Sequence, residues 1–333
     1  MSVRGVAETV VEEGGSMVLS RRAALKFGIG SAAAVVAGRG VLAGSAQEGT
    51  PGAGEETGAV DEAAVAGSVR YQHPEKRYFY LPGFGDEAVV AAVHGLDVAT
   101  YRRIKAGFDL AARGAAEALL EDEAFGAMVE RLPFRAGETV LGIGASGTDD
   151  LQSWLEILRH LLELRRGDEG IRVVNQAVSG QTTTEALRYF PGTVGMAQPR
   201  WVICSLGGND LTRVGAKPEG TLIGREETEG NLAAIRRVVV ADPAVTWVWM
   251  NQWPMDEARV ALDPGFQMGQ ASWRNEDADA LNAFYERQPE PVVDLQAVFG
   301  RPVLAELLEA DGLHPSLAGQ TVTARAVVER LAG

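Results

Sequence analysis

The residues best suited to chemistry are a serine, an aspartate and a histidine in two short loops of the sequence. Asp311 and His314 lie three residues apart near the carboxyl terminus, and Ser146 follows a Gly-Ala pair far upstream. A serine needs a base to become a nucleophile, and an imidazole needs an acceptor on its other nitrogen to hold the right tautomer. Since Asp311 and His314 can supply both from one rigid loop, the three residues predict a nucleophilic serine.

Two further loops supply hydrogen-bond donors for a negatively charged intermediate. The tetrahedral intermediate of ester hydrolysis needs donors aimed at its oxyanion, each worth roughly 3 kcal/mol when removed. The candidates are the backbone N–H groups of Ser146 and Gly180 and the side-chain amide of Asn209. A glycine at position 180 suits a backbone that must approach a substrate closely.

Taken singly, each of these loops also has an ordinary structural interpretation. Residues 144–149 could form a strand-to-helix turn with Ser146 or Thr148 as the N-cap, and residues 207–209 have a common turn composition. Residues 311–315 could be a turn into the last helix, with proline at its first position. It is the presence of all four loops in one chain that favours the chemical interpretation.

The elements that must position these loops show the pattern of an α/β fold. From residue 139 onward, short apolar β-branched segments alternate with amphipathic segments, as in parallel strands joined by crossover helices. The predicted strands are residues 139–143, 171–177, 201–206, 245–251 and 292–295, and the predicted helices are residues 151–166, 183–189, 226–240, 273–287 and 317–331. They make a three-layer α/β/α sandwich with a five-stranded parallel sheet. Ligands bind outside the carboxyl ends of such strands, where the polar loops are expected.

The set of loops resembles the SGNH hydrolases, also called GDSL esterases and lipases, whose motif residues are Ser, Gly, Asn and His in that order. The resemblance covers residues 136–333 and implies the flavodoxin-like SGNH fold and serine-dependent hydrolysis of carboxylic acyl esters, with no cofactor and no metal. It implies that Ser146 is the nucleophile and His314 the general base, oriented by Asp311. Gly180 and Asn209 become the oxyanion partners. The implied substrate is a small-molecule acyl ester, such as a lipid or an acetylated sugar.

One position departs from the pattern of that family. Where the family usually has Gly-Asp-Ser, this chain has Gly144-Ala145-Ser146. The usual role of the missing carboxylate is to brace the loop through hydrogen bonds, and Asp149 or Asp150 could replace it in part. The departure motivates one alternative, a non-catalytic carbohydrate- or lipid-binding module with the same fold. A second alternative is an acyltransferase, in which an alcohol or sugar replaces water as the acceptor.

Composition argues against several other classes of partner and site. A formal net charge of -14 disfavours a phosphate-binding surface, so no nucleic-acid partner is expected. Cys204 is the only cysteine, and no two of the four histidines are four residues apart, which disfavours a metal site.

Residues 251–255, with Trp253, should lie at the pocket rim, where they either hold an acyl chain or sugar ring or simply pack.

The first 135 residues predict three segments before the SGNH hydrolase domain at residues 136–333. Residues 1–46 resemble a twin-arginine export signal, with Arg21 and Arg22 before an apolar segment that is too short to span a membrane. We therefore expect an exported protein with no transmembrane anchor in the mature chain. Residues 47–70 have the composition of a flexible linker, and residues 71–135 predict an N-terminal extension of two or three helices that covers a sheet edge or forms a lid.

Overall fold

The structure is a computed structural model that describes residues 62–333 of the chain. The predicted export signal at residues 1–46 and the first part of the predicted linker, residues 47–61, lie outside the described residues. Within residues 62–333, no helix is long and apolar enough to cross a membrane.

A five-stranded parallel sheet forms the centre of the described chain and confirms the predicted fold. Its strand order is β2-β1-β3-β5-β7, and a separate two-stranded antiparallel sheet pairs β4 with β6. The strands are β1 (Thr139–Gly144), β2 (Arg172–Asn175), β3 (Trp201–Ser205), β4 (Arg213–Val214), β5 (Thr246–Met250), β6 (Ala271–Ser272) and β7 (Val292–Val293). The small sheet was not predicted, because a two-residue strand has no room for a periodic pattern.

Helices cover both faces of the sheet, which completes the predicted sandwich. The helices that precede β1 are α1 (Glu62–Tyr71), α2 (Pro74–Arg77), α3 (Glu87–Val93), α4 (Val98–Leu120) and α5 (Glu123–Glu130). Those that follow are α6 (Ser146–Asp149), α7 (Trp154–Arg166), α8 (Thr183–Ala197), α9 (Arg225–Val239), α10 (Glu257–Leu262), α11 (Pro264–Gly269), α12 (Asn275–Glu286), α13 (Leu295–Phe299) and α14 (Leu317–Ala332).

Alternate residues of the central strands point into two separate hydrophobic cores. Val140 and Ile203 pack with α7 and α14 on one face, whereas Leu141, Val202 and Cys204 pack with α8, α9 and α12 on the other. Both faces are buried because parallel sheets are covered by their crossover helices. The sheet therefore fixes the positions of the loops at its edge.

Helix α8 is longer than the predicted segment of residues 183–189. It continues to Ala197 through Pro191, a residue that removes one backbone hydrogen bond within a helix. Phe190 is buried and Val194 packs on the same core, so burial of apolar side chains sustains the helix past its proline.

The N-terminal extension differs from its prediction in two respects. Residues 71–135 contain the four helices α2–α5, of which α4 runs unbroken through Gly107, and residues 62–70, predicted as part of the flexible linker, form most of α1. Composition misled the prediction for residues 62–70 because their order comes from tertiary contacts: Val69 is fully buried, and Arg70 forms ion pairs with residues far along the chain.

The extension covers helices of the sandwich and reaches the carboxyl edge of the sheet. Ala112 and Ala116 of α4 and Phe125 of α5 belong to the same core cluster as the buried side chains of α7 and α14. Helices α1 and α2 lie against the loop that follows β1, where Arg70 contacts Asp150 and Lys76 contacts Asp149.

Candidate active site

Ser146, His314 and Asp311 form a continuous chain of hydrogen bonds at the carboxyl end of the sheet. His314 Nε2 lies 2.9 Å from Ser146 Oγ, and His314 Nδ1 lies 2.6 Å from Asp311 Oδ2. An ionised carboxylate only accepts hydrogen bonds, so His314 Nδ1 carries the proton and Nε2 is free to accept from the serine hydroxyl. The three side chains predicted to act together are thus brought together.

The folds of two loops explain how these side chains are positioned. Ser146 begins α6, immediately after β1, so the sheet fixes its backbone. Asp311 Oδ1 accepts hydrogen bonds from the backbone N–H groups of Leu313 and His314, which folds residues 311–314 into a tight turn. The aspartate therefore orients the imidazole with one oxygen and holds its own loop with the other.

The ionisation of the pair follows from burial and mutual attraction. Burial acts to raise the pKa of Asp311, but the charge of protonated His314 and three hydrogen bonds lower it to about 2. Burial acts to lower the pKa of His314, yet the Asp311 carboxylate outweighs that effect and raises the pKa above its ordinary value. The aspartate is consequently ionised near neutral pH.

Each of the three predicted oxyanion donors has an N–H hydrogen without an acceptor among residues 62–333. Ser146 is the first residue of α6, a position whose N–H has no acceptor within the helix. The N–H of Gly180 has no acceptor among residues 62–333. Asn209 Nδ2 donates one hydrogen bond to Gln181 O at 3.1 Å, which fixes the amide and leaves its second hydrogen available. Ser146, Gly180 and Asn209 line one pocket.

The serine lines two pockets, which share Ser146, Asn209, Trp273, Leu313 and His314. The first pocket also contains Tyr71, Gln72, Ser179, Gly180 and Phe266. The second pocket also contains Leu211, Gln252, Trp253 and Met255. Trp253 was expected either to form a pocket wall or simply to pack, and it does both. It lines the second pocket, and its Nε1 donates a hydrogen bond to Leu313 O at 2.8 Å. Its ring lies so close to Gly147 that a Cβ atom there would collide with it.

Asp149 and Asp150 brace the loop that lacks the usual carboxylate beside Ser146. Asp149 is buried, and its Oδ2 accepts the backbone N–H of Ser179 at 2.7 Å. Burial acts to raise the pKa of Asp149, but the charges of Lys76 and His73 hold it well below its ordinary value. Asp149 thus joins the serine loop to the loop of Gly180.

Asp150 joins the serine loop to helices α1 and α14. Arg70 donates to both of its carboxylate oxygens, at 2.8 and 2.7 Å, and Gln320 Nε2 lies 3.4 Å from Oδ2. Gln320 also donates to Gly147 O at 2.9 Å, so the residue after the serine is tied to the last helix.

A further carboxylate supports the loop of Asn209. Asp210 is buried and accepts hydrogen bonds from Thr183 and from Thr228 Oγ1. Burial raises the pKa of Asp210 even though these donors favour the ionised form. The Gly-Asn-Asp sequence therefore places one side chain at the pocket and anchors the next in the core.

Sequence reasoning did not assign a role at the site to the N-terminal residues Arg70, Tyr71, Lys76 and Arg77. The Tyr71 ring centroid lies 5.3 Å from that of His314, and Arg77 Nη2 donates to Ser179 O at 2.6 Å. No local pattern marks these side chains, because their partners lie far along the chain. Only the unusual density of basic and aromatic residues at 70–80 could have drawn attention to them.

No metal site accompanies this arrangement in the described part of the chain, where no group of three or more His, Cys, Asp or Glu side chains is placed to bind a metal ion. Cys204 is buried in β3, and burial raises the pKa of its thiol to about 12. It behaves as the small hydrophobic residue that its strand position predicts.

Comparison with known proteins assigns the chain to one family. The sequence model of the GDSL-like Lipase/Acylhydrolase family matches residues 138–322, more than half of the chain and all of the loops described above except those of the N-terminal segment. The chain belongs to this family. It is therefore an enzyme of the GDSL-like acylhydrolases, and the predicted resemblance is confirmed at the level of the family.

Several individual proteins are similar to this acylhydrolase. Esterase TesA of Pseudomonas aeruginosa is 29% identical over 192 residues, which are 56% of this chain and 83% of that protein. Thioesterase 1/protease 1/lysophospholipase L1 of Escherichia coli K12 is 45% identical over 49 residues, 15% of this chain and 23% of that protein. A crystal structure of Axe2, an acetylxylan esterase from Geobacillus stearothermophilus, is 23% identical with a TM-score of 0.44, and the match covers 59% of this chain and 95% of Axe2.

Proposed function

We propose that this acylhydrolase cleaves carboxylic acyl esters with Ser146 as the nucleophile, His314 as the general base and Asp311 as the residue that orients the imidazole. The observation that carries the proposal is the hydrogen-bond chain from Ser146 Oγ through both ring nitrogens of His314 to Asp311. A serine hydroxyl needs such a base within hydrogen-bond reach to attack a carbonyl carbon.

In the proposed reaction, Ser146 Oγ attacks the ester carbonyl carbon while its proton passes to His314 Nε2. The imidazolium is stabilised by the Asp311 carboxylate, and the oxyanion accepts hydrogen bonds from Ser146 N–H, Gly180 N–H and Asn209 Nδ2. The alcohol leaves with the proton from His314, and an acyl-serine remains. Water then attacks the acyl-serine, His314 again takes the proton, and the carboxylic acid and free serine are released.

The absence of an aspartate at position 145 does not favour a non-catalytic binding module. Bracing of the serine loop is supplied here by Asp149, which accepts the Ser179 N–H, and by Asp150, which binds Arg70. The groups that transfer protons are all present and mutually oriented. A module that only binds a ligand would have no use for a buried imidazole aligned with a serine hydroxyl.

The lining of the second pocket supports an apolar acyl group as the part of the substrate bound there. Leu211, Trp253 and Met255 contribute apolar surface next to Ser146, with Gln252 as a polar neighbour. The name of the Pseudomonas relative, an esterase, supports an ester as the reacting bond. The proposed substrate class is thus a small acyl ester with an apolar acyl chain.

The test is hydrolysis of nitrophenyl esters, from acetyl to long acyl chains, by the wild-type protein and its Ser146→Ala variant. We expect kcat to fall by a factor of about 10⁴ or more in the variant, with the circular dichroism spectrum unchanged. Ser153→Ala is a matched control, because Ser153 is also buried and its Oγ has no partner among the described residues. Equal turnover by wild type and Ser146→Ala would contradict the proposal.

A second measurement separates an unsuitable substrate panel from an inactive site. A fluorophosphonate probe reacts only with an activated serine, so we expect modification of Ser146 in the wild-type protein and none in Ser146→Ala. An unmodified Ser146 in the folded wild-type protein would refute the proposed nucleophile.

We also propose that the enzyme is exported, since the paired Arg21-Arg22 before an apolar segment resembles a twin-arginine signal. The measurement is the distribution of the full-length protein between cell and medium. Arg21→Lys together with Arg22→Lys should retain the protein inside the cell, and unchanged export of this double variant would contradict the proposal.

A further inference from the structure

The peptide group between Ser179 and Gly180 is bound from outside the family-matched region by Arg77. Arg77 Nη2 donates a hydrogen bond to Ser179 O at 2.6 Å, and the arginine side chain is about 29% exposed. The same peptide group carries the Gly180 N–H, which is one of the proposed oxyanion donors. Because the peptide group is rigid, a hydrogen bond to its carbonyl oxygen also fixes the direction of its N–H.

The direction of the Gly180 N–H follows from the direction of the Ser179 carbonyl. In a planar trans peptide the C=O and N–H bonds point in opposite directions, and the one cis peptide among the described residues is Arg301–Pro302. Arg77 lines a cleft between α2 and α8, whereas Gly180 lines the first pocket together with Ser146 and His314. Arg77 thus binds the carbonyl oxygen on the cleft side, and the N–H of the same peptide is directed to the opposite side, toward the first pocket.

This peptide lies at the centre of a turn that has two common conformations. Gln181 N donates to Val178 O at 3.0 Å, and Gly180 has a φ of +75°, which defines a type II turn with Ser179 and Gly180 at its central positions. A type I turn closes with the same hydrogen bond but has its central peptide flipped. Glycine adopts both conformations readily, so the local sequence does not decide between them.

The neighbouring contacts fix the turn before and after the Ser179–Gly180 peptide but leave the peptide itself free to flip. Asp149 Oδ2 accepts the Ser179 N–H at 2.7 Å, and Asn209 Nδ2 donates to Gln181 O at 3.1 Å. These bonds hold the first and last parts of the turn, but neither touches the Ser179 carbonyl. Within residues 62–333, Arg77 is the donor that binds this carbonyl oxygen.

We propose that Arg77 is a positioning residue, which holds the Ser179–Gly180 peptide in its type II orientation so that the Gly180 N–H faces the nucleophile. The proposal rests on the proposed function for its catalytic consequence. Residues 62–77 thereby become part of the machinery of the enzyme, since α2 carries the arginine to the turn. His73 and Lys76 fix α2 through Asp149, at 2.7 and 2.5 Å.

The kinetic test compares Arg77→Ala and Arg77→Lys with the wild-type protein. We expect kcat of Arg77→Ala to fall by a factor of about 10², the lower bound for loss of one oxyanion donor, with little change in KM because Arg77 lines neither pocket at the serine. Added guanidinium ion should restore part of the lost kcat, and Arg77→Lys should retain more activity than Arg77→Ala.

The control is Glu185→Gln, which removes the 3.9 Å ion pair of Arg77 but keeps an acceptor for the N-cap of α8. We expect wild-type kcat from this control. Unchanged kcat in Arg77→Ala, or a loss that falls mainly on KM, would overturn the proposal.

A structural readout makes the test independent of hydrolysis. In a type II turn the Ser179 Hα lies close to the Gly180 amide proton, so the nuclear Overhauser effect between them should be strong in the wild type and in Glu185→Gln, and weaker in Arg77→Ala. A strong effect in Arg77→Ala would show that the turn needs no arginine. If Ser146→Ala retained turnover, the proposed function would fail, and this measurement would still decide the role of Arg77.

Discussion

At the scale of single residues, the protonation state of His314 governs the proposed reaction. The imidazole must be neutral to accept the proton of Ser146, and Asp311 raises its pKa above the ordinary value of 6.5. We expect kcat/KM for nitrophenyl esters to rise with pH through a single ionisation whose midpoint lies above 6.5. Asp311 stays ionised throughout that range, since its pKa is lowered to about 2.

Replacing the Asp311 carboxylate by an amide should lower the rate and shift the midpoint of this pH–rate profile. In Asp311→Asn the attraction that raises the pKa of His314 is lost, so the midpoint should move to lower pH. The amide also favours the wrong imidazole tautomer, and kcat should fall by about 10⁴. A pH–rate profile of the variant checks both effects, and a midpoint that stays in place would argue against direct coupling of Asp311 and His314.

The side chain of Asn209 gives a second prediction at this scale. Its amide is fixed by one hydrogen bond to Gln181 O, which leaves the other hydrogen for an oxyanion. Asn209→Ala should lower kcat by about 10²–10³ and change KM little. Steady-state kinetics test this, with fluorophosphonate labelling as the control for an intact serine. A variant with wild-type kcat would exclude the amide as an oxyanion donor.

At the scale of secondary-structure elements, helix α1 is anchored through one buried ion pair. Arg70 donates two hydrogen bonds to Asp150, whose side chain is fully buried, and a third to Glu309. Arg70→Ala leaves the Asp150 charge without its partner and should lower the free energy of unfolding by about 3–5 kcal/mol.

Denaturant unfolding of Arg70→Ala measures that loss. The matched control is Arg113→Ala on the outer surface of α4, where an exposed pair with Glu117 should contribute about 0.5 kcal/mol or less. Equal effects of the two substitutions would mean that the Arg70–Asp150 pair does not anchor α1.

At the scale of the whole molecule, the family-matched segment is only part of one packed body. Phe125 and Val129 of α5 are buried in the same cluster as Trp154 and Leu158 of α7. Burial of one such side chain contributes about 1.5–3 kcal/mol, whereas the net free energy of unfolding of a whole domain is only about 5–15 kcal/mol. Loss of the contacts between α5 and α7 would therefore remove a large part of that stability. We therefore expect residues 62–333 to unfold in one cooperative transition.

A chain truncated to residues 136–333 tests this expectation. It should be insoluble, or should unfold at a clearly lower denaturant concentration than the longer chain, because the outer surfaces of α7 and α14 lose their cover. Unfolding of both chains at the same midpoint would mean that the extension contributes nothing to the stability of the sandwich.

The sequence by itself determined the five strands, the presence of a helix after each of them and the loops that bring Ser146, Asp311 and His314 within hydrogen-bond reach. Strand and helix periods are local properties, and the turn at residues 311–314 is closed by contacts over two or three residues. Such features depend on residues that are close together in the sequence, and so they could be predicted without the structure.

Only the tertiary structure decided how α1 and α2 take part in the site. Arg77 contacts a carbonyl 102 residues away, Lys76 contacts a carboxylate 73 residues away, and Arg70 contacts Glu309 across 239 residues. Composition predicted residues 62–70 as part of a flexible linker, whereas they form most of α1 because their partners lie far along the chain, where no local pattern records them. A contact between distant residues depends on the packing of everything between them, and that packing is a property of the folded chain.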